Sequence, residues 1–185
     1  MTERECGGCT LCCKLLPIKA FAKPAGHRCQ HQRWGKGCAI YRQEGFPFAE
    51  CGLWHCKWLI NDDADDLPRP DRAHYVLDMI PDYVTVNAPG RQPTTVPVVQ
   101  IWLDPHYPEA HRSPELRQWL YRRGAQGWAA LIRFDAYEAM ILLPPQMTDS
   151  GRFEEIGGDS VTRREGDWSA EETAAKLQEA GVYPT

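Results

Sequence analysis

Eight cysteines, all between Cys6 and Cys56, are the residues of this chain best suited to carry chemistry. The first four lie in the run Cys6-Gly7-Gly8-Cys9-Thr10-Leu11-Cys12-Cys13, in which two CxxC units share Cys9. A CxxC turn brings two sulfurs to about the separation that one tetrahedral zinc ion requires, and CxxCxxC offers three corners of an iron–sulfur cubane. The run therefore predicts a thiolate metal centre.

The remaining candidate ligands lie further along the same segment. They are Cys29, Cys38, Cys51 and Cys56, with His27, His31 and His55 beside them. Neighbouring side chains diverge, so one ion does not easily take both Cys12 and Cys13. The donors could form two four-coordinate sites, one cluster and a zinc ion, or one cluster with spare thiols. We expect all eight cysteines to be metal ligands and the three histidines to be ordinary hydrogen-bonding residues.

Disulfides are the other common use of clustered cysteines. They stabilise small secreted chains that cannot build a core, whereas this chain has 185 residues and can bury one. Residues 1–13 are polar and contain no apolar stretch of the kind that directs secretion. We therefore expect reduced thiols, a bound metal ion or cluster, and a cytoplasmic location.

Charge divides near the end of the cysteine-rich segment. Residues 1–60 hold nine Lys or Arg against four Asp or Glu, whereas residues 61–185 hold twelve against twenty-one. A basic excess interleaved with aromatic residues can indicate nucleic-acid binding. We favour a different interpretation, in which basic residues offset the thiolates and aromatic residues shield the centre. These aromatic residues are Trp34, Tyr41, Phe46, Phe48, Trp54 and Trp58.

The order of the cysteines resembles that of a known family. After CxxCxxCC come Cys29, the segment Gly37-Cys38-Ala39-Ile40-Tyr41, then Cys51, and finally Cys56-Lys57-Trp58. This order, over about residues 6–60, is similar to the YkgJ-like CxxCxxCC family, described as a zinc- or iron-chelating domain. Where that family usually has Arg-Pro shortly after the tyrosine, this chain has Phe46-Pro47.

The resemblance implies metal chelation by the eight cysteines, through an iron–sulfur cluster, most simply [4Fe–4S], or through Zn²⁺. Flagellin lysine N-methylases share the cysteine signature, which makes methyl transfer an alternative, although no GxGxxG follows a strand here. The sequence also lacks GxSxG, HExxH and P-loop motifs. A redox-active centre would make the chain an oxidoreductase, whereas closed zinc sites would indicate an interaction or nucleic-acid-binding module without catalysis.

Residues 61–185 have the patterning of an α+β body, and we expect residues 1–60 to form a small irregular metal-binding module packed on it. Strands are predicted at Tyr75–Met79, Tyr83–Ala88 and Val96–Leu103, with a hairpin over Ala129–Phe134 and Ala139–Leu143. Strands that can pair antiparallel, with few helices, predict an antiparallel sheet.

Two helices and one connector complete the predicted body. Ser113 is a suitable N-cap for a helix beginning at Pro114, with Leu116, Trp119 and Leu120 on one face. Ser169 and Glu172 form a capping box for a last helix. Residues 61–72, in which four Asp precede the run Leu67-Pro68-Arg69-Pro70, are predicted to be a solvated acidic connector. With a mean hydropathy of −0.51, the chain has no apolar stretch near the roughly 20 residues that a membrane span needs.

Overall fold

The structure is a computed structural model that describes residues 4–78, 82–86, 92–135, 137–144, 147–156 and 160–163. Its helices and strands run in the following order along the chain. They are α1 (Leu11–Leu15), β1 (Gln32–Arg33), β2 (Gly37–Cys38), α2 (Lys57–Ile60), α3 (Pro70–Ala73), β3 (Tyr75–Leu77), β4 (Asp82–Val86), β5 (Thr94–Leu103), α4 (Pro114–Ala125), β6 (Ala129–Arg133), β7 (Glu138–Leu143), β8 (Thr148–Ile156) and β9 (Ser160–Arg163). The α+β class predicted from the sequence is confirmed.

A seven-stranded sheet forms the body. Its main order is β3-β5-β6-β7-β8-β9, and β4 pairs with β5 as well. The ten-residue strand β5 is long enough for two partners, because β3 pairs with its last three residues and β4 with its first five. The sheet is mixed rather than wholly antiparallel, since β5 and β6 are parallel and α4 connects them.

Alternation along the strands divides the core between the two faces of the sheet. Leu77 and Ile101 belong to the largest buried cluster, on the side where α4 packs. Val76, between Tyr75 and Leu77, belongs instead to a cluster with Leu11 and Cys56 of the cysteine-rich segment. Because successive side chains of a strand point to opposite faces, α4 and the cysteine-rich segment lie on opposite faces of the sheet at β3.

Helix α4 forms as the sequence predicts. Pro114 is its first residue, and the Ser113 hydroxyl accepts a hydrogen bond from the Leu116 N–H at 3.4 Å. Leu116, Trp119 and Leu120 are buried on one face. The chain leaves the helix towards β6 through Gly127, which has a φ of +82° that suits glycine.

The cysteine-rich segment, residues 6–56, has little regular structure. It contains α1, the two-stranded ladder of β1 and β2, a 3₁₀ turn at Lys19–Phe21 and a π-helical turn at Phe48–Gly52. Gly8 permits a close approach between two of its loops. A Cβ at Gly8 would lie 3.0 Å from the Gly35 carbonyl carbon and nearer still to its oxygen. We call this segment the cysteine module.

The structure corrects the expectation for the acidic connector. The acidic connector exposes Asp62, Asp65 and Asp66, but it buries Ala64 and Leu67 in the main core, so it is not a fully solvated turn. The predicted hairpin is present as β6 and β7, with Ala130 opposite Leu142. Strands β8 and β9 were not predicted. The helix predicted from Ser169 lies outside the described residues.

Candidate metal centre

Helix α1 places two adjacent cysteines at the middle of the cysteine module. Cys12 and Cys13 are consecutive residues of this helix, which begins directly after the CxxC turn. In that turn the Cys9 N–H donates to the Cys6 carbonyl at 2.8 Å. Leu11 and Leu15 of α1 are buried against the body and fix the position of the helix. Packing of two leucines thus positions four of the eight thiols.

One group of cysteines lies where the module meets the sheet. Cys56 is buried in the cluster that contains Leu11, Leu15 and Val76, and Cys9 and Cys12 pack against the same cluster. Burial raises the pKa of the Cys56 thiol to about 11, and the neighbouring Cys6 and Cys9 contribute to the increase. We call Cys6, Cys9, Cys12 and Cys56 the inner set.

A second group surrounds the outer side of α1. The Cys29 N–H donates to the Cys13 carbonyl at 3.0 Å, and Cys38 of β2 lies opposite Gln32, whose N–H donates to the Cys29 carbonyl at 3.0 Å. Burial raises the pKa of the Cys51 thiol to about 11, and Cys13, Cys29 and Cys38 add to the increase in that order. We call Cys13, Cys29, Cys38 and Cys51 the outer set.

The two sets meet at Cys12 and Cys13. A hydrogen bond from the Cys12 thiol to the Cys13 sulfur raises the pKa of Cys12 well above its ordinary value and lowers that of Cys13 to about 7. Cys13 also interacts electrostatically with Cys6 of the inner set. Cys13 is therefore the member of the outer set closest to the inner one.

Each set has a cationic side chain beside it. Lys23, which is 8% exposed, donates hydrogen bonds to the carbonyls of Lys14, Leu16 and Pro24. It is an electrostatic neighbour of three outer-set cysteines and of Cys12. Arg69 lies beside Cys6 and Cys9 of the inner set, where its charge favours the thiolate forms. The guanidinium is itself held by Asp71 through two hydrogen bonds of 2.7 Å.

Backbone N–H groups point at several of the sulfurs. Leu11 and Asp71 donate to the Cys9 sulfur, Leu59 donates to that of Cys56, and Ile40 donates to that of Cys38. These hydrogen bonds lower the pKa of each thiol, although burial is the larger effect and raises it. Donors of this kind stabilise negative charge on a sulfur, as a metal-bound thiolate requires.

Three tryptophans cover the inner set. Trp54, Trp58 and Trp102 pack against the cluster that holds Cys9, Cys12 and Cys56. The indole N–H groups of Trp54 and Trp58 donate to the Asp78 carboxylate and to the Leu67 carbonyl, each at 3.0 Å, which fixes these two rings on the body. The remaining module aromatics do not all have this role, because Trp34 is 70% exposed.

The three histidines of the module make local hydrogen bonds. Nδ1 of His27 lies 3.0 Å from the Ala25 carbonyl, and Nδ1 of His55 lies 3.0 Å from the Leu53 carbonyl. His31 contacts the Gln30 amide and the Phe21 ring.

The thiols are neighbours without being gathered at ligand distances. All eight cysteines are free thiols. Among the described residues, no three or more His, Cys, Asp or Glu side chains are arranged closely enough to hold a metal ion. The donor chemistry of eight thiols with adjacent cations and N–H donors suits a soft metal or an iron–sulfur cluster.

Sequence reasoning did not single out Lys23 or Arg69. A basic excess near the thiolates was expected, but its members could not be identified, because Arg69 lies 13 residues after the last cysteine in the sequence. The sequence also showed no sign of the ion pair between Lys14 and Asp104. Lys14 Nζ lies 2.6 Å from Asp104 Oδ1, and this contact joins the module to the body.

No family model, curated protein or solved structure matches this chain. The helices within the described part of the chain include none long and apolar enough to cross a membrane.

Proposed function

We propose that this chain is a metal-binding protein of the cytoplasm, whose cysteine module holds an iron–sulfur cluster or zinc through thiolates. The observation that carries the proposal is that free thiols from both ends of the cysteine module lie together at α1. Cys56 shares one packing cluster with Cys9 and Cys12, and the Cys29 N–H donates to the Cys13 carbonyl.

The surroundings of the thiols support this proposal. Four thiolates around Zn²⁺ or around a [4Fe–4S]²⁺ core leave a net charge of about −2, which costs free energy unless cations and N–H donors compensate it. Lys23 and Arg69 supply cations, and the N–H groups of Leu11 and Leu59 point at sulfurs. Metal binding would draw the neighbouring sulfurs together and replace their mutual repulsion with attraction to the metal.

Analysis of metal and acid-labile sulfide tests the proposal. The full chain would be purified anaerobically from cells supplied with both iron and zinc, and its visible absorption recorded. Iron with matching sulfide and a brown colour would indicate a cluster, so that reduction and methyl transfer would be tested next. Colourless protein with tightly held zinc would direct attention to an interaction role. Protein without either metal would contradict the proposal.

Two variants separate thiolate binding from adventitious binding. Replacing all eight cysteines by serine should remove the metal. Replacing His27, His31 and His55 by alanine should leave it in place, because these imidazoles make local hydrogen bonds instead. Loss of metal in the histidine variant with retention in the serine variant would reverse the assignment of ligands.

A further inference from the structure

We propose that the cysteine module holds two separate metal centres of four thiolates each, one formed by the inner set and one by the outer set. This inference rests on the proposed function, because it concerns how the same eight ligands are divided. The inner set is Cys6, Cys9, Cys12 and Cys56, and the outer set is Cys13, Cys29, Cys38 and Cys51. The sequence alone permits other divisions of the same donors.

The inner set is held together by one packing cluster. Cys9, Cys12 and Cys56 all contact the residues around Leu11 and Val76, although Cys56 lies 44 residues after Cys12 in the sequence. Cys6 joins them through the turn in which the Cys9 N–H donates to its carbonyl, and it interacts electrostatically with Cys12 and Cys56. Packing against Val76 of β3 thus brings three of these thiols together, and the turn before α1 adds Cys6.

The outer set is held together by backbone hydrogen bonds. The bond from Cys29 to the Cys13 carbonyl fixes the chain after Gly26 against α1, and the β1–β2 ladder brings Cys38 back to the same place. Cys51 reaches it from the π-helical turn, where its N–H donates to the Pro47 carbonyl at 2.8 Å. Cys51 interacts electrostatically with the other three members.

The boundary between the two sets lies within helix α1, between the consecutive residues Cys12 and Cys13. Consecutive side chains of a helix leave its axis about 100° apart, and the Cys12 thiol donates a hydrogen bond to the Cys13 sulfur, so the two sulfurs are in contact where the sets meet. Cys12 packs against the inner cluster, whereas the Cys13 carbonyl is bonded to Cys29 of the outer set. The proposed division therefore assigns one of these two adjacent cysteines to each centre.

The number of donors agrees with this division. A closed zinc site and a cubane cluster each take four protein thiolates, so eight thiols fill two such sites. Arg69 lies beside Cys6 and Cys9, and Lys23 lies beside Cys13, Cys29 and Cys51 and also beside Cys12, where the two sets meet.

Reconstitution of the reduced, metal-free full chain with Zn²⁺ tests the division. The wild-type chain, Cys6→Ser and Cys38→Ser would be loaded without oxygen, desalted and analysed for zinc per chain. Cys6 is exposed and Cys38 half-buried, so neither serine is forced into the core. We expect two zinc ions in the wild-type chain, one in each single variant and none in the double variant. The same variants would be loaded with Fe²⁺ and sulfide if the native protein carries a cluster.

A second pair of variants guards against misfolding. Cys9→Ser, in the inner set, should behave as Cys6→Ser does, and Cys51→Ser, in the outer set, should behave as Cys38→Ser does. One zinc ion in the wild-type chain, or the loss of all zinc from both members of either pair, would overturn the division. A wild-type chain that takes up no more zinc than the variant with eight serines would instead overturn the proposed function.

Discussion

Lys14 Nζ lies 2.6 Å from Asp104 Oδ1, and this ion pair joins the cysteine module to the end of strand β5. Both side chains are almost fully buried, at 12% and 7% exposure. Lys14 follows Cys13 directly in the sequence, and Asp104 also accepts hydrogen bonds from the backbone N–H and the ring of His106. The position of α1 relative to the sheet therefore depends on a charge pair as well as on Leu11 and Leu15.

Removal of one member of this pair should destabilise the protein strongly. Asp104→Asn leaves the Lys14 ammonium buried without its carboxylate, and such a loss typically costs about 3 kcal/mol or more. Urea unfolding, followed by circular dichroism, measures the change. The exposed pair of Arg112 and Glu109 provides a matched control, because Arg112→Gln should change the unfolding free energy by less than about 1 kcal/mol. Equal effects of the two substitutions would contradict the role of burial.

The same pair should make stability depend on pH in the acid range. Burial raises the pKa of the Asp104 carboxyl, but hydrogen bonds from Lys14 and His106 outweigh burial and hold the pKa below its ordinary value. A lowered carboxyl pKa stabilises the fold above the unfolded pKa of about 3.9, and this stabilisation is lost as the pH falls through the folded pKa. The difference in unfolding free energy between wild type and Asp104→Asn should therefore shrink as the pH falls below about 4. A difference that stays constant with pH would contradict this linkage.

A methyl group at Gly8 should disrupt the cysteine module. The added Cβ would overlap the Gly35 carbonyl, which is backbone and cannot rotate away. Gly8→Ala should therefore reduce the unfolding free energy by about 2 kcal/mol or more and reduce metal retention. The control is Gly35→Ala, because a Cβ at Gly35 would have no atom within 4 Å. Its expected cost is about 1 kcal/mol of unfolding free energy, from the strain of an alanine at a φ of +67°. A larger effect at Gly35 than at Gly8 would show that the loop contact is unimportant.

Loss of the Lys23 charge should weaken the outer part of the module. Lys23→Met removes the donor for three backbone carbonyls and the cation beside the outer set. We expect the unfolding free energy to fall by about 2 kcal/mol, the order of cost for leaving buried acceptors unsatisfied. Zinc competition with a chelator would show weaker metal retention. Lys19→Met serves as control, because Lys19 is exposed, and the prediction fails if both variants retain metal equally.

The sequence predicts the local features of the body well. Ser113 and Pro114 begin α4 where the capping pattern indicates, because a cap acts over only a few residues. The pairing of β6 with β7 follows from their apolar runs and the short connection. The parallel pairing of β5 with β6 was not predicted, because it depends on where α4 packs and not on any local pattern.

For the candidate site, the sequence indicates the candidate ligands but not which of them lie together. The types and spacing of the cysteines select the eight residues, since thiol chemistry is a property of each side chain. Which thiols become neighbours depends on tertiary packing, such as the contact of Cys12 with the cluster around Val76. No periodicity or motif in the sequence distinguishes Lys23 from the other lysines. Its role is visible only in the structure, through its hydrogen bonds to three backbone carbonyls.

The placement of the tryptophans gives the protein two groups of optical reporters. Trp54, Trp58 and Trp102 pack against the cluster that contains the inner thiols, whereas Trp119 lies in the core on the α4 side of the sheet. Fluorescence quenching by a bound cluster and energy transfer to it both decline steeply with distance. Changes at the thiols should therefore alter the emission of the first three indoles more than that of Trp119, which follows the unfolding of the body.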